Sequence, residues 1–385
     1  MHNSTIFAQL MQLISRHEFQ KLAKETKSEY HARGFTSWNH FMALMFGQLA
    51  GQDSLRGIEA GLATNAQLLY HVGMDPIHRS TLAYANENRP HELFERLFYL
   101  MLSKCQPLAP GHKFRFKNPL FSIDATTIDL CLSLFDWAKF RTTKGAIKLH
   151  VKLNHDGYLP NFMVMTCGNV HEQKIAPSIP LDKGDVVTFD RGYNDFGWLA
   201  TLDNTGVFFV TRLKKNAKYK VIERRNVSNF KNIYSDQTIE LTGFYSKQDY
   251  PKPLRRIRSF DPETGHIIVL LTNNFEWSAN TIARIYKERW QIELFFKTIK
   301  QLLKVKSFLG TSPNAMLSQL WTALIAYLLL SYLKFKSKFQ WSLYTLCSIL
   351  PTNIFAKRNL WDWLNAPFKH ASSRAPDAQL TFAFG

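Results

Sequence analysis

Three carboxylates far apart in the chain stand out for the residues around them. Asp124 follows the apolar run Phe121-Ser122-Ile123, and Asp190 closes Asp185-Val186-Val187-Thr188-Phe189. Short apolar runs of this kind read as buried strands. Each Asp is therefore expected at a strand end, held by rigid backbone and projecting from a sheet edge. Oxygens so placed suit hard divalent cations, and Mg²⁺ takes only one or two carboxylates per ion. Taken singly, either Asp is more commonly the cap of a following turn or helix.

The third acid is Glu293, within Tyr286-Lys287-Glu288-Arg289-Trp290-Gln291-Ile292-Glu293-Leu294-Phe295-Phe296-Lys297-Thr298-Ile299-Lys300. At about 100° per residue, Tyr286, Arg289, Glu293 and Lys300 fall within roughly 60° of one another on one helix face. Ile285, Ile292, Phe295 and Ile299 fall on the opposite side. One long helix over 278–303 is expected, burying one stripe and presenting a carboxylate, two cations and a phenol on the other. A solvated face with Glu293 paired to Arg289 or Lys297 explains the charges. It does not explain the Tyr or the length of the polar line.

The elements that must position these groups follow from periodicity. Residues 5–103 are helical in pattern, with Ser37, Ser54 and Ser80 at expected helix starts. Arg and Ser at such starts suit phosphate contacts, and a plain helical packing domain is the equal alternative. Residues 105–117 read as a basic linker. Strands are expected at 121–124, 146–154, 162–167, 185–190 and 207–213, with a helix over 193–203. In the second strand Lys148, His150 and Lys152 alternate to the polar side, which places His150 in solvent. Three neighbouring antiparallel strands followed by strand, helix, strand make an α/β layer. Residues 214–275 interrupt it as a basic insertion with strand-like pieces, and 315–334 forms another helix. From Ser372 onward the chain is polar and expected to be loosely ordered.

Composition narrows the partner. Lys plus Arg number 48 against 30 Asp plus Glu, a net charge of +18. Such an excess favours a polyanion through counterion release. An anionic membrane surface competes, but it calls for a basic amphipathic segment without a catalytic pattern. The apolar stretch from Leu320 to Leu333 is about 14 residues, short of the roughly 20 that span a bilayer. Cys105, Cys131, Cys167 and Cys347 are scattered, so they read as free thiols of a reducing cytosol, with no zinc site. The start Met1-His2-Asn3-Ser4 has no basic region before an apolar run, so no secretory signal is expected. There is no GxxxxGK[ST], hence no expected ATP site.

Taken together, these residues resemble the DDE transposases of the IS-four insertion-sequence family. The helix signature Tyr-x2-Arg-x3-Glu-x6-Lys is matched at Tyr286, Arg289, Glu293 and Lys300. The first Asp matches at Asp124, with Thr126 two residues on, and the second at Asp190 in Asp-Arg-Gly-Tyr. The resemblance covers roughly 116–335, and the helices before it look similar to the family's DNA-binding region with less specific motifs.

The resemblance implies an α/β, ribonuclease-H-like mixed sheet with flanking helices, interrupted by a β-rich insertion and preceded by a helical domain. The implied domains are 1–108 for DNA binding, 116–213 and 276–335 for the catalytic core, 214–275 for the insertion, and 336–385 for a C-terminal dimerisation region. It implies cut-and-paste transposition: cleavage at the terminal inverted repeats, then joining to target double-stranded DNA. Asp124, Asp190 and Glu293 would hold two Mg²⁺ ions, with Mn²⁺ able to substitute. Tyr286, Arg289 and Lys300 would grip terminal phosphates. Trp290 or Trp198 would stack on an extruded base, ordinary core tryptophans being the equal alternative. Lys214, Lys215, Arg255 and Arg256 of the insertion would follow the DNA backbone. A homodimer on DNA, no membrane, and a nucleoid-associated place in the cytoplasm complete the expectation. A domesticated nuclease of the same fold and a DNA-binding protein with a dead core are the alternatives. Terminal repeats flanking the reading frame would separate out the first, and a Mg²⁺-dependent nicking assay the second.

Overall fold

The computed structural model describes residues 4–30, 32, 34–130, 135, 137–141, 144–303 and 308–368. Cys131 and the tail from Ser372 lie outside the described residues. Ten strands form one sheet. They are β1 (Leu120–Leu130), β2 (Lys139–Arg141), β3 (Lys144–Asn154), β4 (Leu159–Cys167), β5 (Val186–Phe189), β6 (Phe208–Arg212), β7 (Tyr219–Arg225), β8 (Ile233–Leu241), β9 (Leu254–Asp261) and β10 (His266–Thr272). Their order is β2-β3-β1-β5-β6-β10-β9-β8-β7, with β4 also paired to β3.

β3 runs antiparallel to both β1 and β4, and β1, β5 and β6 run parallel. The parallel strands are buried on both faces, as their apolar runs require. Ile123, Val187, Phe189 and Phe209 pack on one face with the helix Phe196–Asn204. Leu120, Val186 and Val210 pack on the other with the helix Ala279–Glu288. β1 does not end at Asp124, as its apolar run implies. It continues to Leu130, because β3 pairs with it throughout. The sheet edge at Asp124 is made instead by β5, whose pairing with β1 stops at Ile123 and Phe189.

The basic segment 214–275 is no separate lobe. Its β10 pairs antiparallel with β6, and β9, β8 and β7 follow outward in the same sheet. This layout corrects the expectation for Arg255. Its side chain is 4 % exposed and grips Asp236 bidentately, with Nε donating to Oδ1 at 2.9 Å and Nη2 to Oδ2 at 2.6 Å. Nη1 donates to the carbonyls of Asn274 and Trp277. A guanidinium saturated inside the sheet layer has no face left for a DNA phosphate.

The helical part is built around Pro313–Lys336, a 24-residue helix capped by Ser312. It is long and apolar enough to cross a bilayer, longer than the run 320–333 implies, yet 89 % of its apolar window is buried inside the protein. Around it pack Ser37–Leu49, Glu92–Cys105 and Trp290–Leu303. Ser54 caps Leu55–Ala63 as expected. The Ser37 helix is capped one residue earlier by Thr36, since Ser37 turns inward to Ser28. The helix at Ser80 begins at Arg79 with no side-chain cap bond.

The helix expected over 278–303 is broken in two, Ala279–Glu288 and Trp290–Leu303, with Arg289 at the joint. The reason is packing. Ile282 and Ile285 belong to the core under β5, β6 and β10, whereas Ile292, Phe295 and Ile299 belong to the core around Pro313–Lys336. A straight helix cannot serve both. The chain tightens instead, Arg289 N–H donating to Tyr286 O at 3.2 Å and Ile292 N–H to Arg289 O at 3.1 Å.

Replacing Asp236 by Ala leaves Arg255 buried without its counter-charge, a loss that costs about 3–5 kcal/mol in comparable sites. Urea unfolding is the measurement, and a midpoint matching the wild type would show that the pair is not structural.

Candidate active site

Asp124 and Asp190 each stand one residue beyond the matched pair Ile123 and Phe189, so two adjacent parallel strands deliver them to the same rim of the sheet. Asp190 caps a tight turn, its Oδ1 accepting from Arg191 N–H at 2.7 Å. Asp124 Oδ1 accepts from Ala125 N–H at 2.8 Å. Glu293 lies in the first turn of Trp290–Leu303, where a helix N-terminus favours an acid. Between Asp124 and Glu293 stands Arg289. Its Nη1 donates to Asp124 Oδ2 at 3.0 Å and its Nη2 to Glu293 Oε1 at 2.8 Å. The joint between the two helices thus places one guanidinium against carboxylates from two elements.

The local charge balance is unfavourable to negative charge even so. Burial pushes the Asp124 carboxyl up from 3.8 to about 6, Glu293 and Asp190 adding to the rise and Arg289 opposing it. Asp124, Ala125, Thr126, Glu293, Phe296, Lys297, Lys300 and Gln301 line an open cleft of about 580 Å³. Hard oxygen donors around a site that one cation neutralises incompletely fit a divalent ion chemically. Among the described residues, however, no three acidic, histidine or cysteine side chains converge closely enough to hold one ion. Arg289 stands where such convergence would occur.

Residues 115–329, more than half of the chain, match the family described as a transposase DDE domain. The chain belongs to the DDE transposase family. It is 33 % identical over 312 residues to y4zB of Sinorhizobium fredii, named as a transposase, covering 79 % of this chain and 85 % of that protein. It is 30 % identical over 343 residues to a protein of Geobacillus stearothermophilus named as a transposase for the insertion sequence element IS5377, covering 88 % of each. A solved piggyBac transposase synaptic complex with hairpin DNA aligns at a TM-score of 0.45 and 11 % identity, over 91 % of this chain and 80 % of that chain. Residues 2–75 match a family of unknown function. The protein is therefore a DNA transposase, an enzyme that binds DNA, cleaves its strands and transfers them, in a family that uses divalent metal.

Of the other residues singled out from the transposase sequence, some meet at this cleft and others do not. Lys300 is exposed and lines it. Tyr286 is 5 % exposed, its ring under Arg212 at 5.3 Å and Arg289 at 5.8 Å. Trp290 is 57 % exposed beside the joint. Trp198 is a core residue, 7 % exposed and 4.9 Å from the Phe189 ring, which leaves no face for a base. Lys214 donates to Asn194 O at 2.7 Å, near the Asp190 turn, and Lys215 is exposed. Arg256 lies over Tyr219 and donates to Gln237, far out in the sheet extension.

Lys297 and Gln301 are cleft residues that helix-face reasoning passed over. Lys297 is one turn beyond Glu293, and the sequence offers it only as an ion-pair partner. His150 is a correction in the other direction. It is fully buried, because Tyr193 and the segment 170–180 pack over the face that strand alternation assigns to solvent. Burial lowers its imidazole to about 4.

The Asp124 shift has a consequence for stability. The folded carboxyl keeps its proton up to about pH 6, whereas the unfolded chain loses it near 3.8. Between these values the folded state binds more protons, so this group's contribution falls as pH rises. In chelator, Asp124→Asn should gain melting temperature relative to wild type as pH goes from about 4 to about 6.5. A difference that stays flat with pH would contradict the burial argument.

Proposed function

We propose that this transposase is of the IS-four type, with a ribonuclease-H-like core and Asp124, Asp190 and Glu293 as its catalytic acids. The strand pattern supports the core assignment: β4-β3-β1 antiparallel, then β1-β5-β6 parallel. The observation that carries the catalytic reading is the shared guanidinium. Asp124 and Glu293, from a strand and a helix 169 positions apart in number, meet on Arg289 beside Asp190. Side chains with no catalytic task rarely bring like charges together at a cleft.

The three acids would hold two Mg²⁺ ions, with Mn²⁺ as a substitute. Ions there would activate the attacking oxygen and stabilise the leaving 3′ oxygen. The chain's own part is positioning and charge, as in-line displacement at phosphorus requires. Lys297 and Lys300, one helical turn apart on the cleft wall, would take backbone phosphates of the element end. Arg289, forked and permanently charged, would take a phosphate oxygen as its carboxylates turn to the metal. Tyr286, wedged between Arg212 and Arg289, would fix the guanidinium plane. Trp290 is exposed for stacking on a displaced base. Lys214, Lys215 and Arg256 would follow duplex backbone farther out. The protein would act on terminal inverted repeats and target DNA as a homodimer at the nucleoid, in a cut-and-paste reaction.

Glu293→Gln should abolish Mn²⁺- or Mg²⁺-dependent nicking of an element end while leaving gel-shift affinity for that end within about twofold, since only the charge on the metal side is lost. Cleavage by the variant would end the catalytic assignment. Lys297→Ala and Lys300→Ala should each flatten the slope of log K against log salt by about 0.9. Slopes equal to wild type would remove both lysines from the phosphate path.

A further inference from the structure

The turn that carries Asp190 is fastened at its other end. Arg191–Tyr193 is one tight turn, with Tyr193 N–H donating to Asp190 O at 3.1 Å. Tyr193 is 1 % exposed, and its hydroxyl lies 3.4 Å from His150 Nδ1. His150 Nε2 lies 3.1 Å from Thr166 Oγ1 on β4. In the sheet, β1 stands between β5 and β3, and the residue opposite His150 on β1 is Ala125. The Tyr193 side chain therefore starts beyond the end of β5, crosses β1 at Ala125 and reaches β3. A neutral imidazole has one donor and one acceptor nitrogen, the pair needed to bridge two hydroxyls. Burial and the carboxylates of Asp124, Glu172 and Asp190 keep the phenol protonated.

We infer that Tyr193 and His150 are positioning residues that set the separation of Asp190 from Asp124 by hydrogen-bonding the Asp190 turn to β3 across β1. The inference rests on the catalytic reading of those two acids. Neither residue reaches DNA or the ions, and both act through Asp190. The turn is also tied on its far side, where Asn194 donates to Arg212 O at 2.6 Å and accepts from Thr211 Oγ1 at 2.8 Å. Those contacts hold the turn to β6. Toward β1 the backbone pairing ends at Ile123 and Phe189, one residue short of the two acids, and among the described residues the Tyr193 chain carries the link on from the turn to β3.

The experiment is a Mn²⁺ titration of the DNA-free protein followed by EPR of the free ion, with nicking of a DNA end followed in parallel. Partners that orient metal ligands typically contribute 10–100-fold in affinity or activity. Tyr193→Phe and His150→Leu should each weaken Mn²⁺ binding about tenfold, and the double variant should be no worse than either single. His150→Asn, which keeps a partner for the phenol at the Nδ1 position, should recover most of the loss. DNA-end affinity and melting temperature should change little. Should Tyr193→Phe not fold, Thr166→Val interrupts the same chain from β4 and should shift the titration in the same direction. Wild-type Mn²⁺ titrations in Tyr193→Phe and His150→Leu, with Asp190→Asn inactive, would overturn the inference and leave the catalytic reading standing. Cleavage by Asp190→Asn would remove that reading and this inference with it.

Discussion

Everything at this site depends on holding like charges together at the rim of a sheet. Carboxylates a few ångströms apart repel one another unless a cation lies between them, and burial raises the cost further. Arg289 is that cation in the structure described here. Its two ends bond acids from β1 and from the helix Trp290–Leu303, so the ion pair is also the fastening between the sheet and the helix. Burial is what raises the Asp124 pKa, with Glu293 and Asp190 adding to the rise and Arg289 opposing it. A buried pair of this kind contributes little net stability, while removing one partner costs much more. The arrangement is better understood as a poised site than as a stabilising one.

The guanidinium is in place only because the chain bends at it. Two apolar stripes, Ile282 with Ile285 and Ile292 with Phe295 and Ile299, are claimed by different cores. The first core lies beneath the parallel strands. The second is organised by the buried helix Pro313–Lys336, where Tyr327 meets Phe295 edge-on at 5.0 Å. Close-packed interiors give way in steps and not smoothly, so the direction of each half-helix is fixed by its core. The joint and its Arg inherit that precision. The sheet supplies the other half of the geometry, since parallel register brings the chain to Asp124 and Asp190 on the same rim.

Much of this was legible in the residues. The meeting of Asp124 with Glu293 and the order of the core strands follow from types and spacing, whereas Tyr286, expected on the polar line, is buried in the core with Ile282 and Ile285. Three things were not legible, each for a physical reason. Periodicity cannot show that a helix bends, because both halves keep the same angular pattern while serving different cores. Strand alternation assigns a face but not what covers it, and the His150 face is covered by Tyr193 and the segment 170–180. Charge counts treat every Arg alike, yet Arg255 is consumed by Asp236 inside the sheet, while Lys297, dismissed as an ion-pair partner, lines the cleft. Burial of cations is a tertiary property, and a net charge of +18 does not reveal which ones remain available.

That distribution of available cations resolves an apparent conflict in the chemistry. DNA is a polyanion, and the cleft proposed to receive it is lined with Asp124 and Glu293. A bare acidic rim would repel the very phosphate it has to cleave, and at physiological salt such repulsion extends about 8 Å. Lys297 and Lys300 stand one and two turns beyond Glu293 on the same helix, and Lys214 lies beside the Asp190 turn. Positive charge therefore flanks the acids along the cleft, and Arg289 sits between Asp124 and Glu293. On the proposed reading the outer cations draw in the strand whatever its sequence, and the acids act on the one phosphate that comes to rest among them.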